Sequence, residues 1–139
     1  MPGALRWSAF LGFTAFIYVT FTLPADQLPA YAFELNDKLV HFLDFFLLTL
    51  LSFRAFLYST RPFFSSRGEW KAVSFSLFYG AFLEGVQISV PTRHGDFRDW
   101  LADVLGTLAA YGIFKISRLT GSYPHARVAP QKTPPFQGL

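Results

Sequence analysis

The sequence predicts an all-α polytopic membrane protein, a bundle of four transmembrane helices with short loops. The 139-residue chain is 52% apolar and only 15% charged, whereas about a quarter of the residues in an ordinary soluble domain are charged. Four apolar segments also approach the roughly 20 residues that a helix needs to cross a membrane. These segments are residues 7–23, 39–58, 70–90 and 100–117.

The first segment ends before Pro24, which cannot continue a helix. Arg6 before this segment, and the Ala-Tyr-Ala sequence of residues 30–32 after it, also fit a secretory signal peptide. Its apolar run is longer than the hydrophobic region of such a peptide usually is, so an uncleaved anchor is the favoured interpretation. The second segment has Asn36 as its candidate N-cap.

The third segment follows Ser66 and Glu69, whose spacing predicts a capping box, and it ends before Pro91. Asp96 is the candidate N-cap of the fourth segment. Together the four segments define a transmembrane domain over residues 1–120. Residues 121–139 contain four prolines and little periodicity, which predicts a disordered tail.

The basic residues predict the orientation of the chain. With a cytoplasmic N-terminus, nine of the 12 basic residues fall on the cytoplasmic side, as the positive-inside rule requires. We therefore expect a multi-pass protein of the bacterial inner membrane with both termini in the cytoplasm. Eight of the nine acidic residues then fall in the outer half: Asp26, Glu34, Asp37, Asp44, Glu84, Asp96, Asp99 and Asp103.

Helical spacing gathers these polar residues onto one face of each of three segments. The faces comprise Asp37, His41 and Asp44 on the second segment, Gly80, Glu84 and Gln87 on the third, and Asp99, Asp103, Gly106 and Ala110 on the fourth. A charged side chain facing lipid at mid-membrane costs about 2.5–3.5 kcal/mol by insertion scales, so we expect these faces to turn inward. The result is a polar pocket open to the outer leaflet, with Lys38 and Arg93 at its mouth.

Within this pocket, Glu84, His41, Asp99 and Asp103 are the predicted catalytic residues. Glu84 or His41 would act as a general base, because partial burial and a neighbouring carboxylate favour proton transfer. The predicted substrate-binding residues are Lys38, Arg93, Gln87, Asp37 and Asp44, with the two cations suited to an anionic group. The alternative is a structural network, in which His41 serves packing and the cations extend to lipid headgroups.

Other partners and cofactors receive little support from the sequence. A formal charge of +3 is too small to indicate nucleic-acid binding, and the absence of cysteine excludes thiolate chemistry. No metal site is predicted, because no motif such as His-Glu-x-x-His is present. A metal would require His41 to converge with two or three of Glu84, Asp44, Asp99 and Asp103. No cofactor is indicated.

Two stretches of the chain, NDKLVHFLDFFLLTLL and YGAFLEGVQISVPTRHGDFRDWLADVLGTL, resemble the VanZ-like family, which is named after a teicoplanin-resistance protein. The shared pattern is supplied by Asp37, Lys38, His41, Glu84, Gln87, Arg93, Asp99, Asp103 and Gly106. Asn is common in the family where this chain has Asp103. The resemblance covers roughly residues 7–118 and implies an envelope protein linked to glycopeptide tolerance. It implies no particular reaction.

Three functions are compatible with this pattern. The first is an enzyme acting on a lipid-linked envelope substrate or glycolipid, and the second is a module that binds an anionic envelope ligand without turning it over. The third is a proton or cation pathway. Against this third function, residues 46–53, 72–79 and 107–114 are nearly free of ionisable groups, so no relay of such groups continues to the inner side.

Overall fold

A computed structural model describes residues 3–24, 27, 37–92 and 95–121. These residues form five helices and no strand, which confirms the all-α prediction for the described part of the chain. The helices are α1 (Gly3–Thr22), α2 (Asp37–Leu57), α3 (Pro62–Ser65), α4 (Gly68–Gln87) and α5 (Phe97–Leu119). The four long helices begin two to four residues before the predicted apolar segments, because their first turns include polar residues.

The structure corrects two expectations about helix boundaries. The short helix α3 was not predicted, although Pro62 suits a first helical turn, where the missing N–H is not needed. The capping box of Ser66 and Glu69 is wrong: Arg67 is the N-cap of α4, its backbone is left-handed (φ 54°), and no side chain caps the helix. The predicted cap of the fourth segment is confirmed, since the Asp96 side chain accepts a hydrogen bond from the Arg98 N–H.

Contacts between helix ends give the direction of each helix. His41 near the start of α2 contacts Asp103 near the start of α5, so these two helices run parallel. Glu69 at the start of α4 pairs with Lys115 at the end of α5, at 2.9 Å, so those two are antiparallel. We call the end that contains His41 the site end, and the end that contains Glu69 the far end.

The helices α2 and α5 approach most closely at Gly106. A Cβ atom at this position would stand 2.2 Å from the backbone oxygen of Phe42, so only glycine fits between the two backbones. Gly106 and Ala110 are both buried, on the face of α5 that helical spacing predicted to turn inward, and such small residues let helices approach closely. Toward the far end, Phe53 and Phe114 stack at 4.5 Å between ring centroids and continue the interface.

An aromatic cluster ties α1, α2, α3 and α4 together at the far end. Trp7 lies 4.8 Å from Phe64 and 5.6 Å from Phe56, measured between ring centroids. Phe10 lies edge-on to both Phe56 and Phe75. Such aromatic pairs contribute about 0.5–1.5 kcal/mol each beyond their burial, so this end of the bundle is firmly packed.

Two of the described helices, Gly3–Thr22 and Asp37–Leu57, are long and apolar enough to cross a membrane. Large apolar side chains are nevertheless exposed on all four long helices. They include Leu11 and Phe16 on α1, Leu43 and Leu47 on α2, Phe78 and Phe82 on α4, and Leu105, Leu108 and Ile113 on α5. An apolar surface of this extent is typical of a protein that contacts lipid or another protein.

Replacement of Gly106 with Ala tests the close contact between α2 and α5. We expect Gly106→Ala to lower the stability of the detergent-solubilised protein by about 1–3 kcal/mol, because the added methyl group forces the backbones apart. Gly112→Ala is the matched control, since a Cβ there meets nothing within 4 Å. Thermal unfolding of both variants measures the difference, and equal melting temperatures would contradict the contact.

Candidate functional site

A histidine and a carboxylate meet in the interior of the site end. His41 Nδ1 lies 2.9 Å from Asp103 Oδ1, and the two side chains share a hydrogen bond. The two residues are only 2% and 1% exposed. A buried ion pair or hydrogen bond of this kind fixes the orientation of the imidazole ring. It therefore sets both the spacing of α2 and α5 and the direction of the histidine.

Glu84, in the last turn of α4, brings a third helix to this pair. One ligand atom each from His41, Glu84 and Asp103 all lie within 4.8 Å of one another. We call these three residues the carboxylate–histidine site. Sequence spacing predicted the same three residues for one pocket, and the structure brings them together; their catalytic roles stay predictions.

The two oxygens of Glu84 have different surroundings. Oε2 accepts a hydrogen bond from the backbone N–H of Asp96 at 2.9 Å, which fastens the loop before α5 to α4. Oε1 is buried and has no hydrogen-bond partner among the described residues. A Cβ added to Gly95 would lie 3.0 Å from the backbone oxygen of Glu84, so the loop closes tightly over this residue.

Asp103 has a second unpartnered oxygen. Its Oδ2 is buried and meets no hydrogen-bond donor in the described part of the chain. It lies against α4 at Gly80, where a Cβ atom would come within 2.7 Å of it. Because buried polar atoms are nearly always hydrogen-bonded in proteins, two such carboxylate oxygens at one site call for an explanation.

The predicted residue Lys38 lies at the edge of the site. Its Nζ donates to Asp99 Oδ1 at 2.6 Å and to Asp96 Oδ2 at 3.3 Å. Asp99 is buried, and it forms with Asp37 and His41 a second group whose ligand atoms lie within 4.8 Å of one another. Lys38 therefore neutralises the carboxylates at the mouth of the site.

Asp96 also serves the loop that covers the site. The backbone N–H of Arg98 and, more weakly, the Lys38 ammonium lower the pKa of the Asp96 carboxyl below its ordinary value. A depressed pKa means that the contribution of the carboxylate to folding is present above its ordinary pKa and is lost as the pH falls through the folded value. The cap of α5 is therefore fully charged at neutral pH.

Gln87 and Asp44, two predicted substrate-binding residues, are placed differently. The Gln87 side chain is buried and donates to the backbone oxygen of Phe21 at 3.1 Å, so it fastens the end of α1. The Phe21 ring in turn lies 4.3 Å from the His41 ring, between centroids. Asp44 is half-buried and belongs to neither group of converging ligand atoms. Arg93 lies outside the described residues.

A cluster of three hydroxyl groups, which sequence reasoning missed, lies toward the far end from the carboxylate–histidine site. Thr49 Oγ1 lies 2.9 Å from Ser76 Oγ and 3.3 Å from Thr107 Oγ1, within hydrogen-bond distance of both, and all three residues are fully buried. Helical spacing could have found them, because they follow or precede the site residues by four or eight positions. The stacked rings of Phe53 and Phe114 lie further along the same helices.

An apolar groove leads to Glu84 from the surface between α4 and α5. Its volume is about 420 Å³. Glu84 contributes a carboxylate to the lining, and the other lining residues are Ala81, Gly85, Ile88, Gly95, Phe97 and Trp100. The surrounding Ile88 and Phe97 side chains are largely exposed. The groove therefore connects an exposed apolar surface with one wall of the carboxylate–histidine site.

The arrangement suits acid–base chemistry. The imidazole is held by a carboxylate, and a second carboxylate lies close enough to share a proton, a water molecule or a cation with it. Glu84 is reached from the groove, whereas Asp103 is enclosed. Glu84 is therefore placed to contact a substrate, whereas Asp103 is placed to position His41.

The model of the VanZ/LLP1 family matches residues 6–118 of the chain. That range contains all of α2 and α4, all but the last residue of α5, and all three residues of the carboxylate–histidine site. No curated protein and no solved structure matches the chain.

Proposed function

The chain belongs to the VanZ/LLP1 family of envelope membrane proteins, and we propose that it acts on a lipid-linked substrate of the bacterial cell envelope at the carboxylate–histidine site. The observation that carries this proposal is the pair of buried, unpartnered oxygens, Glu84 Oε1 and Asp103 Oδ2, beside a groove that opens on an apolar surface. Polar groups that a fold leaves unsatisfied at the end of a cavity are typical of a ligand site.

In the proposed topology, the protein crosses the inner membrane four times and both termini lie in the cytoplasm. The four long helices contain 20 to 23 residues each, which at 1.5 Å per residue spans the roughly 30 Å of a hydrocarbon core. Exposed apolar side chains on α4 and α5 support a lipid-facing position for these helices as well as for α1 and α2. The carboxylate–histidine site then faces the outer leaflet.

The groove supports a lipid-linked substrate over a soluble one. An acyl or polyprenyl chain would lie along Ala81, Gly85 and Ile88, and the polar head of the same molecule would reach Glu84. Lys38 and Arg93 would hold an anionic part of that head. The Lys38 side chain is half-exposed at the mouth of the site, where its ammonium is bonded to Asp99 and Asp96.

The proposed chemistry is activation of water or of a hydroxyl group. The Glu84 carboxylate would take the proton from the attacking O–H, and the oxygen would bond to the electrophilic atom of the substrate while the leaving group departs with a proton. His41, held by Asp103, would supply or accept the second proton. General acid–base catalysis of this kind contributes roughly 10²- to 10⁴-fold to a rate. We further propose that this activity contributes to tolerance of glycopeptides such as teicoplanin.

Conduction of protons is less well supported. The hydroxyl cluster and the buried Ser52 hydroxyl extend the polar path beyond Asp103, and the stacked rings of Phe53 and Phe114 lie beyond them toward the far end. An apolar layer of this kind offers no proton acceptor, so a path from one side to the other is interrupted. A site that is polar at one end of the bundle fits binding and catalysis better.

Single cysteines test the orientation, because the natural chain contains none. We expect a membrane-impermeant maleimide to label Ser89→Cys, in the loop before α5, in intact spheroplasts. The same reagent should label Thr60→Cys, between α2 and α3, only after permeabilisation. Both positions are exposed on the protein surface, so access across the membrane decides the result. Labelling of both in intact spheroplasts would contradict the proposed topology.

Replacement of Glu84 tests the catalytic proposal. The purified protein, in nanodiscs, is incubated with a lipid extract of the host envelope, and mass spectrometry follows the loss of individual lipid species. Glu84→Gln should slow the conversion by roughly 10²- to 10⁴-fold, because the amide cannot accept the proton. Glu69→Gln is the control. The Glu69 carboxylate pairs with Lys115 at the far end, so this variant should retain activity.

The same variants are compared for teicoplanin susceptibility in a host that lacks its own homologue, at matched protein levels. Conversion at the wild-type rate by Glu84→Gln would remove Glu84 from the mechanism. If the wild-type protein retains a lipid species through purification but converts none, the function is binding without turnover.

Narrowing the groove tests the lipid-linked substrate. Gly85 has open space where a Cβ would stand, so Gly85→Leu fills the groove without a clash in the bundle. We expect this variant to lower conversion of the lipid substrate at least tenfold while the thermal stability stays unchanged. Gly112→Leu, at an equally open position on α5 away from the groove, is the matched control. Equal conversion by both variants would argue against the groove as the binding path.

A further inference from the structure

We propose that the carboxylate–histidine site holds a divalent first-row transition cation of the Zn²⁺ or Mn²⁺ class, bound by His41, Glu84 and Asp103. The inference rests on the proposed function, because the cation would serve the same site. It departs from the expectation drawn from the sequence, in which no metal-binding motif is present.

The positions of the three ligand atoms support a cation site. The three ligand atoms lie within 4.8 Å of one another and come from three different helices. Ligand atoms around a tetrahedral ion with bonds of 2.0–2.1 Å stand about 3.3 Å apart. His41 Nδ1 and Asp103 Oδ1 already stand 2.9 Å apart, and a cation bound between them would displace the proton of their hydrogen bond. Small rotations of the Glu84 side chain, which enters from α4, would complete the set.

The unpartnered carboxylate oxygens also support a cation site. Glu84 Oε1 and Asp103 Oδ2 are buried without a hydrogen-bond donor among the residues described. Leaving ionised carboxylate oxygens in this state is costly, because a buried charge needs a counter-charge and hydrogen bonds. A bound cation would supply the counter-charge to both carboxylates, and buried charges in proteins are paired or coordinate metals.

The charges of the site residues also favour a bound cation. Glu84 and Asp103 contribute up to two negative charges, and His41, when protonated, contributes one positive charge. Lys38 is bonded to Asp99 and Asp96 at the mouth of the site, with Asp37 close by on the same helix face. A divalent cation neutralises the two carboxylates while His41 stays neutral and donates a nitrogen.

The donor set indicates the class of ion. One imidazole nitrogen with carboxylate oxygens suits Zn²⁺, Mn²⁺ or Fe²⁺, whereas Mg²⁺ and Ca²⁺ take oxygen ligands and six or more positions. Three protein ligands also leave a position open for water or substrate, as in catalytic zinc sites. The absence of a local motif is explained, because each ligand lies on its own helix and tertiary packing alone brings them together.

The cation changes the role of Glu84 in the proposed chemistry. As a ligand, Glu84 would hold the ion instead of taking the proton directly, and the ion would supply the acidity that activates water near neutral pH. The positive ion also attracts the anionic head of the substrate into a site that is otherwise rich in carboxylates. Asp103 then positions His41 and closes the coordination on the buried side.

Metal content tests the inference directly. The full chain is purified in detergent through a tag without histidine, and inductively coupled plasma mass spectrometry measures the metals that it retains. We expect about one Zn²⁺ or Mn²⁺ per wild-type chain. Glu84→Gln and Asp103→Asn should lower the content at least tenfold, since loss of even a supporting group typically weakens affinity 10- to 100-fold. Glu69→Gln is the control and should retain the metal.

A stability measurement on the wild-type protein guards against variants that fail to fold. After treatment with EDTA, the addition of ZnCl₂ or MnCl₂ should raise the melting temperature, because a ligand that binds only the folded chain stabilises it. MgCl₂ at the same concentration should not. A wild-type chain that carries no metal and shows no shift with ZnCl₂ or MnCl₂ would overturn the inference, and a proton shared by Glu84 and Asp103 would then explain the site. Equal metal content in all variants would also overturn it.

The two proposals can fail separately. Bound metal in a chain that converts no envelope lipid would leave the cation site standing and remove the proposed reaction. Conversion that persists at the wild-type rate in metal-free protein would leave the reaction standing and remove the cation.

Discussion

The buried contact between His41 and Asp103 is the constraint on which the site end depends. It joins the second turns of two parallel helices, and both residues are shielded from solvent. A polar contact in such surroundings is strong when it is satisfied and costly when it is broken. The remaining features of the site follow from it. Glu84 is brought near by α4, Lys38 and Asp99 close the mouth, and Phe21 covers the imidazole ring.

This contact is possible only because small residues let the helices approach. Gly106 admits the backbone of α2, and Gly80 leaves room for the second oxygen of Asp103. The same principle operates below the site, where the hydroxyl groups of Thr49, Ser76 and Thr107 occupy little volume and bond to one another. In membrane proteins, small residues and interhelical hydrogen bonds replace the hydrophobic effect as the basis of helix association. The site and the tight packing therefore have a common origin.

Much of this arrangement was accessible from the sequence. Helical spacing assigned His41, Glu84 and Asp103 to inward faces, and the cap at Asp96 followed from its residue type and position. The sequence could not decide which oxygens would remain unpartnered, because that depends on sub-ångström differences in how three helices meet. Gln87 illustrates the limit: it lies on the predicted face, but its amide bonds to the backbone of α1, a partner that no periodicity reveals.

Boundary errors have equally local causes. The spacing of Ser66 and Glu69 matches a capping box, yet the turn after α3 places Arg67 at the cap in a left-handed conformation. Competing turns of this kind depend on the packing of both flanking helices. The hydroxyl cluster was missed for a different reason, since threonine and serine within an apolar segment carry no charge that demands a partner.

The groove between α4 and α5 has a consequence for how a ligand is supplied. Its walls are apolar and its rim is formed by exposed Ile88 and Phe97. The proposed lipid-linked substrate would therefore reach Glu84 along the surface of the bundle without leaving an apolar medium. Occupancy of such a site depends on the mole fraction of the ligand among the surrounding lipids, not on its concentration in water. A scarce amphiphile can then be handled with modest intrinsic affinity, since two-dimensional diffusion delivers it repeatedly to the same entrance.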